Sequence, residues 1–312
     1  RAGQLRRIID HGSFTPGGRL ALTLKITRPE NSTVDAAVTG SIRILNANIL
    51  ASIFPYPVRA KSGEIILHED RIDFGDGIPF ETFDGANGML KGRVEIDNSK
   101  GLRTLNPKLE FVLKNDALSQ LFFMAIPPAE NEPVVGWPGE GLSKGGKILS
   151  QLDPRGSISL EGMIKLSKSG KLDVACDITY QNGSIQPDIP AEKLIDSEEL
   201  FWPVGFGLDD CSGKFRVADA TVVVQSFTGF RRDGRLDASG LFSMDGNTTD
   251  ITIQLDNIQL AEYAINLIPF GDHAHAVALW DRYKPTGQFD ADISLKTPNA
   301  DQHLLIRHGI RH

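Results

Sequence analysis

Along most of the chain apolar residues fall at every second position, the period of a strand with one buried face. Leu20, Leu22, Leu24 and Ile26 alternate with Arg19, Ala21, Thr23, Lys25 and Thr27. Ile158, Leu160, Ile164 and Leu166 alternate with Ser157, Ser159, Glu161, Lys165 and Ser167. Leu172, Val174, Cys176, Ile178 and Tyr180 oppose Asp173, Asp177 and Thr179, and the period returns at Ile251, Ile253 and Leu255 and at Phe289, Ala291, Ile293 and Leu295. Hairpin punctuation lies between these runs: "GDG" at 75, "NG" at 87 and 182, and "DG" at 233 and 245. The pattern predicts antiparallel meanders.

The alternating runs belong to a longer period. Pro-x-Gly opens a strand at Pro16–Gly18, Pro154–Gly156 and Pro285–Gly287, with 138 and then 131 residues between successive glycines. Other landmarks recur in order: "GSI" at 40 and 183, "PV" at 57 after Tyr56 and at 203 after Trp202, "SGEI" at 62 and "SGKF" at 212. "LEFVLKNDAL" at 109 has the skeleton of "ITIQLDNIQL" at 251, followed by "AIP" at 125 and "LIP" at 267. Shared order and spacing, rather than any single motif, argue for duplication. The division is then the end of one repeat at 1–15, complete repeats at 16–153 and 154–284, and the start of another at 285–312. The chain opens at Arg1, inside a repeat, and is expected to be a segment of a longer protein.

Helical spacing is confined to the end of each repeat. Asp116, or Asn257 in the second copy, is expected to cap a short helix with apolar positions Leu118, Leu121, Phe122 and Ala125, or Leu260, Tyr263, Ala264 and Leu267. Pro127 and Pro269 stop it. A second short helix, at 147–152 or 275–283, leads into Pro-x-Gly. The Pro/Gly-rich stretch 127–146 reads as an insertion in the loop between the two helices of the first repeat.

Bulk properties narrow the partners. A net charge of −7 argues against nucleic acid, and no apolar run approaches the ~20 residues of a membrane-spanning helix. Cys176 and Cys211 are either a disulfide pair or two buried thiols, Cys176 lying on the apolar side of its strand.

Catalytic and metal motifs are sparse. His273 and His275 form an H-x-H pair without a third ligand at useful spacing, and read as loop histidines. Asp209 and Asp210 read as a solvated acidic turn, and Glu198 and Glu199 as the negative first turn of a helix. No nucleophile elbow, P-loop or zinc-protease motif is present. The positions shared by the repeats are Gly, Pro, apolar residues and the pair Asn115 and Asn257, read as helix caps. What repeats is shape, so no catalytic residue, cofactor or metal is assigned and the chain is not expected to be an enzyme.

The sequence of landmarks, from the Pro-x-Gly strand through "FPYPV" or "FWPV", "SGEI" or "SGKF" and "LxNxxL" to "IP" and back to Pro-x-Gly, resembles the repeats of the very large AsmA-like envelope proteins of Gram-negative bacteria. The likeness spans nearly the whole chain; the 127–146 loop and the lack of an anchoring segment depart from it. It implies a β-groove of the bridge-like lipid-transfer type, in the periplasm of a protein anchored in the inner membrane by segments outside these residues. The expected fold is mainly β: tandem antiparallel meanders of about eight strands, curled into a groove, with two short helices per repeat. At ~4.8 Å per strand two repeats would form a groove of about 70–80 Å. The expected partner is phospholipid or another acyl lipid, lined by Leu20, Leu22, Leu24, Ile158, Leu160, Leu172, Val174, Ile178, Ile251, Ile253, Leu255, Phe289 and Ile293. Periodicity alone equally allows sheets closed into a sandwich or jelly roll, which would make the chain a structural or adhesive scaffold. An enzyme with an unrecognised site is the third reading. Exposed sheet edges are a further expectation, with end-to-end association as the consequence.

Overall fold

The computed structural model describes residues 17–27, 37–50, 56–97, 104–119, 152–166, 172–186, 206–218, 221–243, 248–259, 278–297 (without 279 and 285) and 303–309. Sixteen strands account for nearly all of them. The first eight are β1 (Gly17–Thr27), β2 (Ala37–Leu50), β3 (Pro57–Ala60), β4 (Gly63–Leu67), β5 (Arg71–Asp73), β6 (Ile78–Thr82), β7 (Asn87–Asp97) and β8 (Thr104–Ala117). The others are β9 (Pro154–Leu166), β10 (Leu172–Ile185), β11 (Leu208–Ala218), β12 (Thr221–Arg231), β13 (Gly234–Ser243), β14 (Thr249–Gln259), β15 (Gln288–Thr297) and β16 (His303–Gly309). The fold is mainly β, in antiparallel meanders, as the period-two pattern predicts. Residues 1–127, 135–141 and 158–178 form one compact unit, and 128–134, 142–157 and 179–312 a second.

In the first unit the short strands are broken halves of long ones. β3 and β4 both lie on one edge of β2, Pro57–Ala60 pairing with Leu50–Ala47 and Gly63–Leu67 with Ile44–Gly40. β5 and β6 continue along the next position, and both pair with β7. The meander from β1 to β8 therefore has six strand positions, two of them interrupted. β9 to β14 provide six uninterrupted ones. The expected eight strands are present in the first repeat as β1 to β8, while the second has six among the described residues, β9 to β14.

Backbone conformation repeats where the sequence does. Gly18, Gly156 and Gly287 have φ of 138°, 130° and 131°, a region that a side chain disfavours. Asp153 and Lys284, which precede Pro-x-Gly, are both left-handed with φ of 40°. A short helical stretch at 280–283 ends on Lys284, whose N–H donates to the Trp280 carbonyl at 2.7 Å. A left-handed residue, proline and then a high-φ glycine thus turn the chain from helix into strand.

Several local expectations are corrected. Asp116 and Asn257, expected at the start of a helix, lie in β8 and β14. Asn115 and Asn257 are left-handed, with φ of 53° and 56°, and in β14 the register shifts between Leu255 and Ile258, the mark of a β-bulge. A left-handed Asn suits a strand irregularity of this kind, whereas a helix N-cap keeps an extended backbone and acts through its side-chain oxygen. The "NG" pair at 87 opens β7 and the one at 182 lies inside β10, Asn182 with φ of 51°, instead of either forming a hairpin turn; the turn before β7 is closed by Thr82 N–H donating to the Ala86 carbonyl. "DG" at 233 does turn the chain, with Arg231 paired to Gly234. The apolar helix positions 121–125 and 260–267, most of 147–152, the loop 127–146 and "DG" at 245 lie outside the described residues.

Candidate functional site

Register decides which side chains share a face. In the first unit it aligns Leu24, Gly40, Leu67, Ile72, Val94 and Pro107 across β1, β2, β4, β5, β7 and β8. Parallel to that row, Leu22 pairs with Ile42 and Ile42 with Ile65. The opposite face carries Thr23, Ser41, Ile66, Asp73, Arg93 and Lys108, polar but for Ile66, and is laced by Arg71–Asp73 (2.9 Å), Lys108–Glu95 (2.8 Å) and Lys61–Glu81 (2.6 Å) ion pairs.

In the second unit the apolar row runs Phe227, Ala238, Ile253 and Ile293, with Gly229, Leu236, Leu255 and Ala291 alongside. The reverse face holds Thr228, Asp237, Gln254 and Asp292, with Arg235 paired to Asp237 at 2.7 Å. Each unit therefore has an amphipathic sheet.

Cover over the apolar face is uneven. It is best in two places: Ile44, Ala47, Ala60 and Ile78 form a buried cluster against Ile65 and Phe74 in the first unit, and Leu208, Cys211, Leu255 and Ile258 are buried in the second. Elsewhere it thins. β1 is exposed along its whole length, with Leu20, Leu22, Leu24 and Ile26 at 53%, 60%, 48% and 68%, and Leu105 at the far end of β8 is also exposed. Leu20 pairs with buried Ile44, so the exposed side chains of β1 extend the face that elsewhere forms the core.

The thirteen expected lining residues divide accordingly. Leu20, Leu22 and Leu24 are open; Val174, Ile178, Ile251, Ile253 and Phe289 are half-buried; Ile158, Leu160, Leu255 and Ile293 are packed inside. The Leu172 side chain lies outside the described residues. Ile26 and Leu105, equally open, were not among the expected residues although both obey the same alternation.

A buried polar cluster closes the covered end of the first unit. The Tyr56 hydroxyl donates to Asp116 Oδ2 at 2.6 Å and has Asp84 Oδ2 at 3.1 Å, while the Thr82 hydroxyl donates to Asp116 Oδ1 at 2.9 Å. Thr82 also accepts from the Ala86 N–H at 3.0 Å, which fixes the turn before β7. Burial holds the Asp116 carboxyl above the ordinary carboxylate range against the pull of its donors, and burial, joined by Asp116, pushes the Tyr56 phenol well above its own. A carboxyl without water needs such donors. The cluster ties β3, β6 and β8 together. Sequence inspection picked out Tyr56 as a landmark and Asp116 as a cap without bringing them together, because 60 residues separate them.

Tyr180 does comparable work in the second unit. Its hydroxyl donates to the Arg155 carbonyl at 2.6 Å, and its ring lies across two glycines: a Cβ on Gly183 would sit 2.1 Å from the ring, and one on Gly156 3.0 Å from it. These glycines of "PRG" and "NGSI" thus leave room for one aromatic ring.

Cys176 and Cys211 are free, buried thiols, and burial pushes each up to about 12. Asp209 and Asp210 are exposed in β11, Asp210 left-handed where the register shifts between Asp209 and Ser212. Among the described residues no three His, Cys, Asp or Glu side chains gather as metal ligands, and no helix is long and apolar enough to cross a membrane. His273, His275, Glu198 and Glu199 lie outside the described residues. Comparison with family models, curated proteins and solved structures returns no match.

Proposed function

We propose that the apolar sheet face binds acyl lipid, and that the chain is a segment of a conduit along which phospholipid or a related lipid moves in the bacterial envelope. The observation that carries this reading is β1. Its four large aliphatic side chains stand open to solvent on the face that supplies the core elsewhere in the same unit. Each is worth about 1.5–3 kcal/mol when fully buried, so the strand gains from any apolar occupant. Exposed apolar patches of this kind mark ligand or partner surfaces. A charged reverse face keeps the sheet wet on its other side. The resemblance to AsmA-like repeats adds the envelope location and suggests a lipid as the occupant.

The test is lipid retention. Protein purified under gentle extraction is expected to carry phospholipid detectable by mass spectrometry, and Leu22→Asp and Ile178→Asp are expected to lower the amount carried with the β-sheet circular-dichroism signal retained. Protein that carries no lipid, takes up no fluorescent fatty acid and is as stable without it would replace the conduit with a structural scaffold.

A further inference from the structure

β1, β9 and β15 are counterparts. Each follows Pro-x-Gly with the glycine at φ of 130° to 138°, and each pairs on one edge with the next strand in sequence, β2, β10 or β16. On the other edge β9 takes β8 and β15 takes β14, the two strands with a left-handed Asn in "LxNxxL". The contact has a recurring signature: the left-handed Asn115 N–H donates to Ser159 Oγ at 3.0 Å, and the left-handed Asn257 N–H to Asp290 Oδ1 at 2.8 Å. Ser159 and Asp290 are each three residues beyond the Pro-x-Gly glycine. The corresponding residue of β1 is Ala21, and among the described strands β1 pairs with β2 alone.

We propose that the free edge of β1 is a docking edge for the last strand of another module of this kind, added antiparallel with its Asn bulge opposite Ala21. Two observations select this occupant. The sister edges both hold a strand of this type, in one geometry. A second copy of these residues is a poor donor, because its β8 and β14 are already paired on both edges. Main-chain pairing would give the affinity and the apolar alternation the register, placing Leu20, Leu22 and Leu24 beside the incoming strand's apolar positions. Nothing here depends on a lipid.

The experiment uses delipidated protein and a labelled synthetic peptide of residues 249–260, followed by fluorescence anisotropy and hydrogen exchange. Binding is expected to protect amides within 17–27 and to leave 303–309 unchanged. Ala21→Asp, which restores the acceptor, is expected to tighten binding about tenfold, and Ala21→Ser about fivefold. A peptide with Ile253→Pro is expected not to bind. No binding, protection of 303–309 instead, or an affinity indifferent to both Ala21 variants would overturn the proposal. Concentration-dependent protection of 17–27 without peptide would overturn it in favour of self-association. A peptide lying on the apolar face instead of pairing at the edge would bind without protecting these amides, which also counts against it.

Discussion

At the scale of single residues, the first unit depends on one carboxyl. Asp116 is fully buried and accepts from Tyr56 and Thr82, so removing a donor strands part of its capacity. Tyr56→Phe keeps the ring and deletes only the hydroxyl; it is expected to cost about 1–3 kcal/mol in urea denaturation. Thr82→Val should cost a similar amount, with an added loss at the turn that its oxygen fixes. Neither partner was legible as such in the sequence. "FPYPV" and "KNDAL" mark Tyr56 and Asp116 as repeat landmarks, but nothing local says that strand register brings one hydroxyl to one carboxyl. The Asn of the second motif illustrates the other kind of error. Asn is favoured at a helix N-cap for its side-chain acceptor and inside an irregular strand for its tolerance of the left-handed region, and only the neighbouring strand chooses between the two.

At the scale of elements, the same apolar alternation leads to different fates. Leu22 and Leu255 both sit on the apolar side of regular strands, yet Leu22 is 60% exposed and Leu255 only 1%. Leu255→Asp would bury an unpaired charge and is expected to abolish cooperative unfolding or lower the urea midpoint drastically. Leu22→Asp is expected to shift it by no more than about 0.5 kcal/mol. Comparison of the two denaturation curves checks this. If Leu22→Asp destabilised as strongly, β1 would have cover in solution, and the apolar face would be closed there. Glycines add element-scale rules that composition hides. Gly92 pairs with Leu109, and Gly240 with Ile251, equivalent places in the two repeats; a Cβ at either would lie within about 2.2 Å of a carbonyl oxygen across the strand. The sequence shows the glycines, but only the register shows that they face the same position.

At the scale of the whole molecule, four buried acids share one pH behaviour. Burial raises the Cys176 and Cys211 thiols to about 12 and moves the Tyr56 and Tyr180 phenols upward from their own ordinary range. Each group is therefore protonated in the fold at pH values where the unfolded chain would ionise it. Its contribution is complete below the unfolded values, about 8.5 for thiols and about 10 for phenols, and is lost as pH rises through the folded ones. Stability in urea is expected to be level from pH 7 to about 8.5 and to fall steadily above it. Cys176→Ala with Cys211→Ala should flatten the first part of that fall. Native thiols should also react slowly with disulfide reagents at pH 8, and at the ordinary rate once urea exposes them. What the sequence by itself determined is local and periodic: strands with one apolar face, the repeat, and the Pro-x-Gly seam, because a period of two and a residue's backbone preference are properties of neighbours along the chain. Tertiary structure alone decided that short segments in the first repeat are halves of interrupted strands, that Asn115 and Asn257 sit left-handed inside strands, and which apolar side chains are covered. Pairing and cover depend on residues tens of positions away, and a strand carries the same alternation whether or not anything lies over it.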